Sequence, residues 1–339
     1  MRTARIAAAA AVASLALLAS CTTSSTTAPT AETTTPAGES TEKISIAFFG
    51  AAKANSFANA VWAGIQTYAA EIGADAEFFD GEFNAEKQVQ QVQDANTSGK
   101  YQVYVIGAND GAALIPAVEQ AVSQGIKVVA ADFPVGTAYD TYQAQVEGTF
   151  AIVDAPTTNG DYLGKLGLGA CEKLAVDPCQ VAYLQGNATL PLDNARTQHV
   201  VDTLTAGGIT EIYSNLQGGY TQDEGRKAGQ DLLQAHPDVD VIIGSTQAIL
   251  GVEPLVDTSK VMLVGNGGSR QAVAAVQEGK WFGIYYYDVE ETGYLAAQMG
   301  AKAYFGETVE SSIDIAGLDS TRTYGDAANL EGITGTFDD

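Results

Sequence analysis

From residue 43 onward the chain alternates between two hydrophobic periods. Short runs of β-branched and aromatic residues, "ISIAFFG" (44–50), "AEFFD" (76–80), "VYVIGA" (103–108) and "KVVAADF" (127–133), read as buried strands. Between them, longer stretches place apolar residues three and four apart, as in "NSFANAVWAGIQTYAAEIG" (55–73) and "AALIPAVEQAVSQG" (112–125), and read as helices. Gly125 stands just past the end of its helix, where a left-handed residue closes the last turn. Repeated strand–helix–strand units of this length predict a parallel sheet with right-handed crossovers.

After a less regular stretch, "YQAQVEGTFAIVDAPTTNG" (142–160), the pattern restarts. A helix over 161–174 leads to strand "QVAYLQG", helix "NARTQHVVDTLTAGG", strand "EIYSNL", helix "DEGRKAGQDLLQAH" and strand "VDVIIGS". A short helix broken near Pro254, strand "VMLVGN", helix "RQAVAAVQEG" and strand "WFGIYYYD" follow. The helix "VEETGYLAAQMGAKAYFG" (289–306) has no sheet left to join in the second half and is expected to return to the first. The tail from Glu307 holds one strand-like piece, "SSIDIAGL", which either crosses back to the second half or lies on the surface. The expected fold class is α/β, with two lobes and more than one connection between them. Residues 43–149 and 289–308 make the N-terminal lobe, and 150–288 and 309–339 the C-terminal lobe.

The first 42 residues follow another logic. Arg2 and Arg5 precede an apolar run from Ile6 to Leu18, about 13 residues and so too short to span a bilayer. Leu18-Ala19-Ser20-Cys21 resembles the lipobox of bacterial lipoproteins, in which cleavage precedes a cysteine that is then lipidated. The competing reading is an ordinary secretory signal with an incidental Cys21. Residues 1–20 are thus expected to be a signal peptide and 21–42 a disordered tether, rich in Thr, Ser, Ala and Pro and too poor in apolar groups to fold. The protein is then exported and anchored by a lipid to the outer face of the cell membrane. In an exported chain Cys171 and Cys179 are expected to form a disulfide between a helix end and the next strand. With 41 acidic against 17 basic residues, a net charge of −24, the surface repels nucleic acid and anionic headgroups.

Catalytic patterns are missing. No G-x-S-x-G elbow accompanies His199 or His236, no Walker A loop occurs, and no metal-ligand spacing is present. "GKLGLGAC" has the wrong spacing for a dinucleotide site and lies inside a helical pattern, where its glycines serve packing. No enzyme activity, cofactor or metal is expected. What remains is binding, and in parallel α/β lobes ligands sit at the carboxyl ends of the strands.

The segments "KANSFANAVWAGI", "KVVAADF", "NARTQHVVDTL", "AHPDVDVIIGS", "VMLVGNGG" and "VQEGKWFGIYYYDVEETG" occur in an order and spacing that resemble the type I periplasmic binding proteins, the ribose- and galactose-binding class that feeds ABC importers. The resemblance covers residues from about 43 to 306. It implies two Rossmann-like lobes, a hinge of three crossovers, a small polar ligand enclosed between the lobes, an importer permease as partner, and a monomer. A sensor-kinase receptor subunit of the same fold is an alternative, and an extracellular enzyme a weaker one.

Carried over residue by residue, the resemblance assigns Asn55 and Phe57 a polar contact and an aromatic wall at the start of the first helix. The alternative for Phe57 is a core residue. Asp132 matches a carboxylate that accepts hydroxyl hydrogen bonds, or else caps a helix; Asp110 contacts ligand or caps. Arg196 matches an arginine that donates to sugar oxygens, against the alternative of a surface ion pair, and Asp193 lies one turn before it. Departures are equally informative. Phe133 stands where ribose binders carry arginine, Thr246 and Gln247 replace an Asn-Asp pair, Asn266 replaces an aspartate, and Tyr287 replaces an amide near the last hinge. A typical hexose or ribose is put in doubt, and a smaller polyol, a modified sugar or another polar metabolite fits equally well.

Overall fold

A computed structural model describes residues 43–339. The expected signal peptide, tether and lipidated Cys21 lie outside the described residues. The chain begins with strand β1 (Ser45–Gly50), α1 (Ser56–Glu71), β2 (Asp75–Asp80), α2 (Ala85–Ser98), β3 (Val103–Ile106), α3 (Gly111–Ser123), β4 (Lys127–Asp132) and β5 (Phe150–Val153). The second half follows as α4 (Pro156–Leu174), β6 (Gln180–Gln185), α5 (Pro191–Ala206), β7 (Glu211–Gln217), α6 (Gln222–Ala235), β8 (Val241–Ser245), α7 (Thr246–Val252), β9 (Met262–Asn266), α8 (Arg270–Gln277) and β10 (Gly283–Tyr285). The chain then runs through α9 (Val289–Tyr304), β11 (Ser312–Asp314), α10 (Ile315–Leu318), α11 (Ser320–Thr323) and β12 (Tyr324–Gly325).

These strands form two six-stranded sheets, ordered β11-β5-β4-β3-β1-β2 and β12-β10-β9-β8-β6-β7. Every pairing is parallel except β10 with β12. Strands such as β3, buried along their whole length, need helices on both faces. In the first lobe α1 and α9 cover one face and α2 and α3 the other; in the second, α4 and α5 lie opposite α6 and α7. Helix α9 does dock on the first lobe. Its contact with α1 is so close that a Cβ on Gly293 would sit 2.0 Å from the Val61 carbonyl oxygen.

The sheet pairing corrects the lobe boundaries read from the sequence. Residues 150–153 and 312–314, assigned there to the C-terminal lobe, are β5 and β11, both in the first sheet. β5 lies in the irregular stretch and does not read as a strand from the sequence; β11 falls within the strand-like "SSIDIAGL", but its sheet is set by pairing with a partner distant in sequence. The chain therefore crosses between sheets three times: after β5, between β10 and α9, and between β11 and β12. Helix α4 starts at Pro156, five residues before the expected 161, because proline suits the first helical position. Cys171 near its end is disulfide-bonded to Cys179.

Candidate functional site

Residues that follow the carboxyl ends of strands in both sheets line one cavity between the lobes. Helix α1 begins the first wall. Asn55 caps it by accepting from the Ala58 amide at 2.9 Å, which fixes the turn on which Phe57 stands. Phe57 lies parallel to Phe133 at a centroid distance of 6.1 Å and edge-on to Tyr287 at 5.9 Å. Between these rings β4 ends in Asp132, whose φ of +61° is a left-handed conformation uncommon outside glycine, asparagine and aspartate. Such strain persists only where the surroundings enforce it. Here it places a carboxyl that is 2 % exposed on the cavity lining, 3.4 Å from the Tyr287 hydroxyl.

The hinge contributes a second acid. Asp154, just past β5, accepts from the Tyr285 hydroxyl at 2.7 Å and from Asn159 Nδ2 at 2.9 Å. Asn159 Nδ2 also donates to Asn266 Oδ1 at 3.0 Å, joining the end of β9 to the same network. Burial pushes the Asp154 carboxyl up to about 7, partly offset by the Tyr285 hydrogen bond, the Arg196 charge and the Asn159 hydrogen bond. Asp132 is raised well above the usual carboxylate range, first by burial and then by the Asp154 charge.

The second lobe supplies the cation. Gly160 on α4 allows α5 to approach closely; a Cβ there would meet the Arg196 carbonyl oxygen at 2.6 Å. Arg196 on α5 is 4 % exposed and pairs through Nη1 with Asp193 at 2.7 Å. Asp193 also accepts from the Tyr220 hydroxyl at 2.6 Å and the Asn187 amide at 2.7 Å. Burial lowers the proton affinity of the Arg196 guanidinium, but Tyr220, Asp193, Tyr183 and Asp154 more than compensate, so the group stays charged. Its Nε has no hydrogen-bond partner within the protein.

Of the ten ligand residues expected from the sequence, seven line the cavity: Asn55, Phe57, Asp132, Phe133, Arg196, Asn266 and Tyr287. The other three stand elsewhere. Asp110 caps α3, accepting from the Ala112 and Ala113 amides at 3.0 and 3.1 Å. Asp193 is fully buried behind Arg196 and orients it. Thr246 opens α7 and is buried beneath the lining, against Gly267. Gln247, read as replacing an acid of the sugar binders, is on the lining, and the sequence reading missed Phe83, Asn109, Asp154, Asn159 and Tyr220. Phe83, Asn109, Asp154 and Tyr220 each lie within three residues of a strand's carboxyl end, so the rule that found Asp132 also reaches them. Phe83 and Tyr220 stack across the cleft, one from each lobe, at 5.7 Å.

Two α/β lobes enclosing a largely apolar cavity with a few polar groups at their strand ends define a solute-binding architecture. Residues 46–308 match the periplasmic binding protein domain, and the chain belongs to that family, whose characterised relatives are solute-binding proteins. The chain is similar to the ribose import binding protein of Bacillus subtilis strain 168, with 23% identity over 270 residues, covering 76% of this chain and 81% of the relative. It is also similar to the D-ribose/D-allose-binding protein of Pseudomonas aeruginosa, with 24% identity over 291 residues, covering 81% and 87%. Among solved structures, an ABC transporter solute binding protein from Mycobacterium smegmatis with bound glycerol superposes with a TM-score of 0.71 at 26% identity, covering 87% of this chain and 98% of that one. A counterpart from Actinobacillus succinogenes 130z with bound D-allose gives 0.70 at 16% identity over 86% and 100%, a likeness of fold.

Proposed function

We propose that this protein is an extracytoplasmic solute-binding lipoprotein, anchored through Cys21, that captures a sugar-like polar ligand and delivers it to an ABC importer. The observation that carries this reading is the cavity itself. Its aromatic faces, Phe57 and Phe133, suit the C–H face of a polyol or sugar ring. Its polar groups come from both lobes and the hinge, so a ligand that bridges them stabilises the closed form. Ribose, allose and glycerol in the named relatives support the ligand class, and the family's transport role supports the importer. No helix among the described residues is long and apolar enough to cross a membrane.

The test is thermal unfolding of the full chain against sugars, polyols and small polar metabolites. Binding to the folded form alone raises the midpoint, by about 2.7 kcal/mol of stability at a hundredfold excess over Kd. The expected result is a shift with a polyhydroxylated compound that is lost in both Arg196→Ala and Phe57→Ala. No shift with any such compound would overturn the reading.

A further inference from the structure

We propose that the ligand carries a cationic nitrogen, so that the cleft selects an amine-bearing sugar or polyol over its neutral counterpart. This rests on the capture reading above and narrows the ligand class.

The first argument is charge. The cavity lining holds two carboxyl groups, Asp132 and Asp154, and one cation, Arg196. That cation is committed at 2.7 Å to Asp193, itself fully buried; its charge still reaches Asp154, but Asp132 has no ion-pair partner among the described residues. The position beside Asp132, where the family resemblance expects an arginine, holds Phe133. Burial first, and then the Asp154 charge, raise the proton affinity of Asp132, as expected of a buried acid with no cation paired to it. A neutral hydroxyl brings a donor but no charge; an ammonium brings three donors and the missing charge.

The second argument is hydrogen-bonding capacity. Asn109 Oδ1 and Asn159 Oδ1, on two lining residues, have no partner. Their amides cannot usefully rotate. Asn109 Nδ2 donates to the Ala51 carbonyl at 3.3 Å, and Asn159 Nδ2 donates to Asp154 and Asn266. Asp132 has a single side-chain hydrogen bond, at 3.4 Å. Among the fully buried lining atoms, the two asparagine acceptors and one donor, Arg196 Nε, lack a partner. The two acceptors call for donors on the ligand.

The third argument is the wall. Phe57 lies within 6.1 Å of both Phe133 and Tyr287, and the Tyr287 hydroxyl is 3.4 Å from Asp132. Aromatic faces attract cations, by about 0.5–2 kcal/mol depending on desolvation, and a carboxylate next to them completes an ammonium subsite.

The experiment is calorimetric titration of the full chain at neutral pH with three matched pairs: D-glucose and D-glucosamine, D-sorbitol and 1-amino-1-deoxy-D-sorbitol, glycerol and 3-amino-1,2-propanediol. In at least one pair the amine is expected to bind about tenfold or more tightly than its neutral partner, the worth of one charge-assisted hydrogen bond. Asp132→Asn should narrow that gap, and Phe133→Arg, which restores a cation beside Asp132, should reverse it. Neutral members binding as well as their amines would overturn the inference and leave the capture reading standing. No binding by any of the six compounds would overturn both.

Discussion

Asp154 shows how much a single cleft residue is asked to do. It lies at the first crossing between sheets, joins Tyr285 of the second sheet to the end of the first, and is 4 % exposed. Its carboxyl titrates near 7 in the fold against 3.8 for an ordinary aspartate, because burial penalises the charge. Between those values the folded chain holds a proton that the unfolded chain has released. Stability of the ligand-free protein therefore falls as pH rises from about 4 to about 7 and levels off above, with up to about 4 kcal/mol at stake. Denaturant unfolding from pH 4 to 8 should show a shallower decline in Asp154→Asn, and parallel curves would refute the assignment. The sequence did not point to this residue, because its strand was not recognised and the rule of reading strand ends passed over it. Arg196 and Asp132 were legible because their strands and helices are long enough to place them. Of the alternatives left open for Arg196, an ion pair exists, but a buried one on the cavity lining.

Elements deliver these residues only if they approach closely enough, and glycine decides that at α4. Positions 160 and 164 face α5, where a Cβ would lie 2.6 Å from the Arg196 carbonyl oxygen and 2.6 Å from Thr203 Cβ. The reading of "GKLGLGAC" as a packing motif agrees with this contact, with Gly160 one further turn toward the start of the helix. Gly160→Ala meets backbone rather than a flexible side-chain tip, so α5 must shift. Overpacking of this kind costs about 1–3 kcal/mol. Thermal unfolding should register that loss, and ligand affinity should fall with it as Arg196 moves. Unchanged affinity in a destabilised Gly160→Ala would mean that Arg196 does not depend on helix spacing. The main helices and the longer strands were readable from periodicity alone. The exchange of β5 and β11 into the first sheet was not, because register between distant edge strands is settled by tertiary pairing.

At the scale of the two lobes, the three crossings are joined by a fourth tie that the periodicity does not mark. Residues 336–339 are held by the second lobe: the Arg270 amide donates to the Phe337 carbonyl at 2.8 Å, and its side chain pairs with Asp338 at 2.9 Å. The same segment reaches the first lobe, where Ser56 Oγ donates to Asp339 Oδ1 at 2.8 Å and Phe337 packs edge-on against Phe57 at 6.2 Å. Ser56 in turn accepts from Gln247 of the second lobe at 2.9 Å, so the contact spans the cleft mouth beside a lining residue. A tie that exists only when the lobes are together favours the closed form without ligand, and the apparent affinity scales with the fraction already competent to bind. Replacing both Phe337 and Asp339 by alanine should therefore open the ligand-free protein, seen as a larger radius of gyration in small-angle scattering. It should also weaken ligand binding while leaving the radius of the saturated complex unchanged. An unaltered ligand-free radius would mean that the three crossings alone set the resting angle of the lobes, and that the 336–339 contact follows closure rather than biasing it.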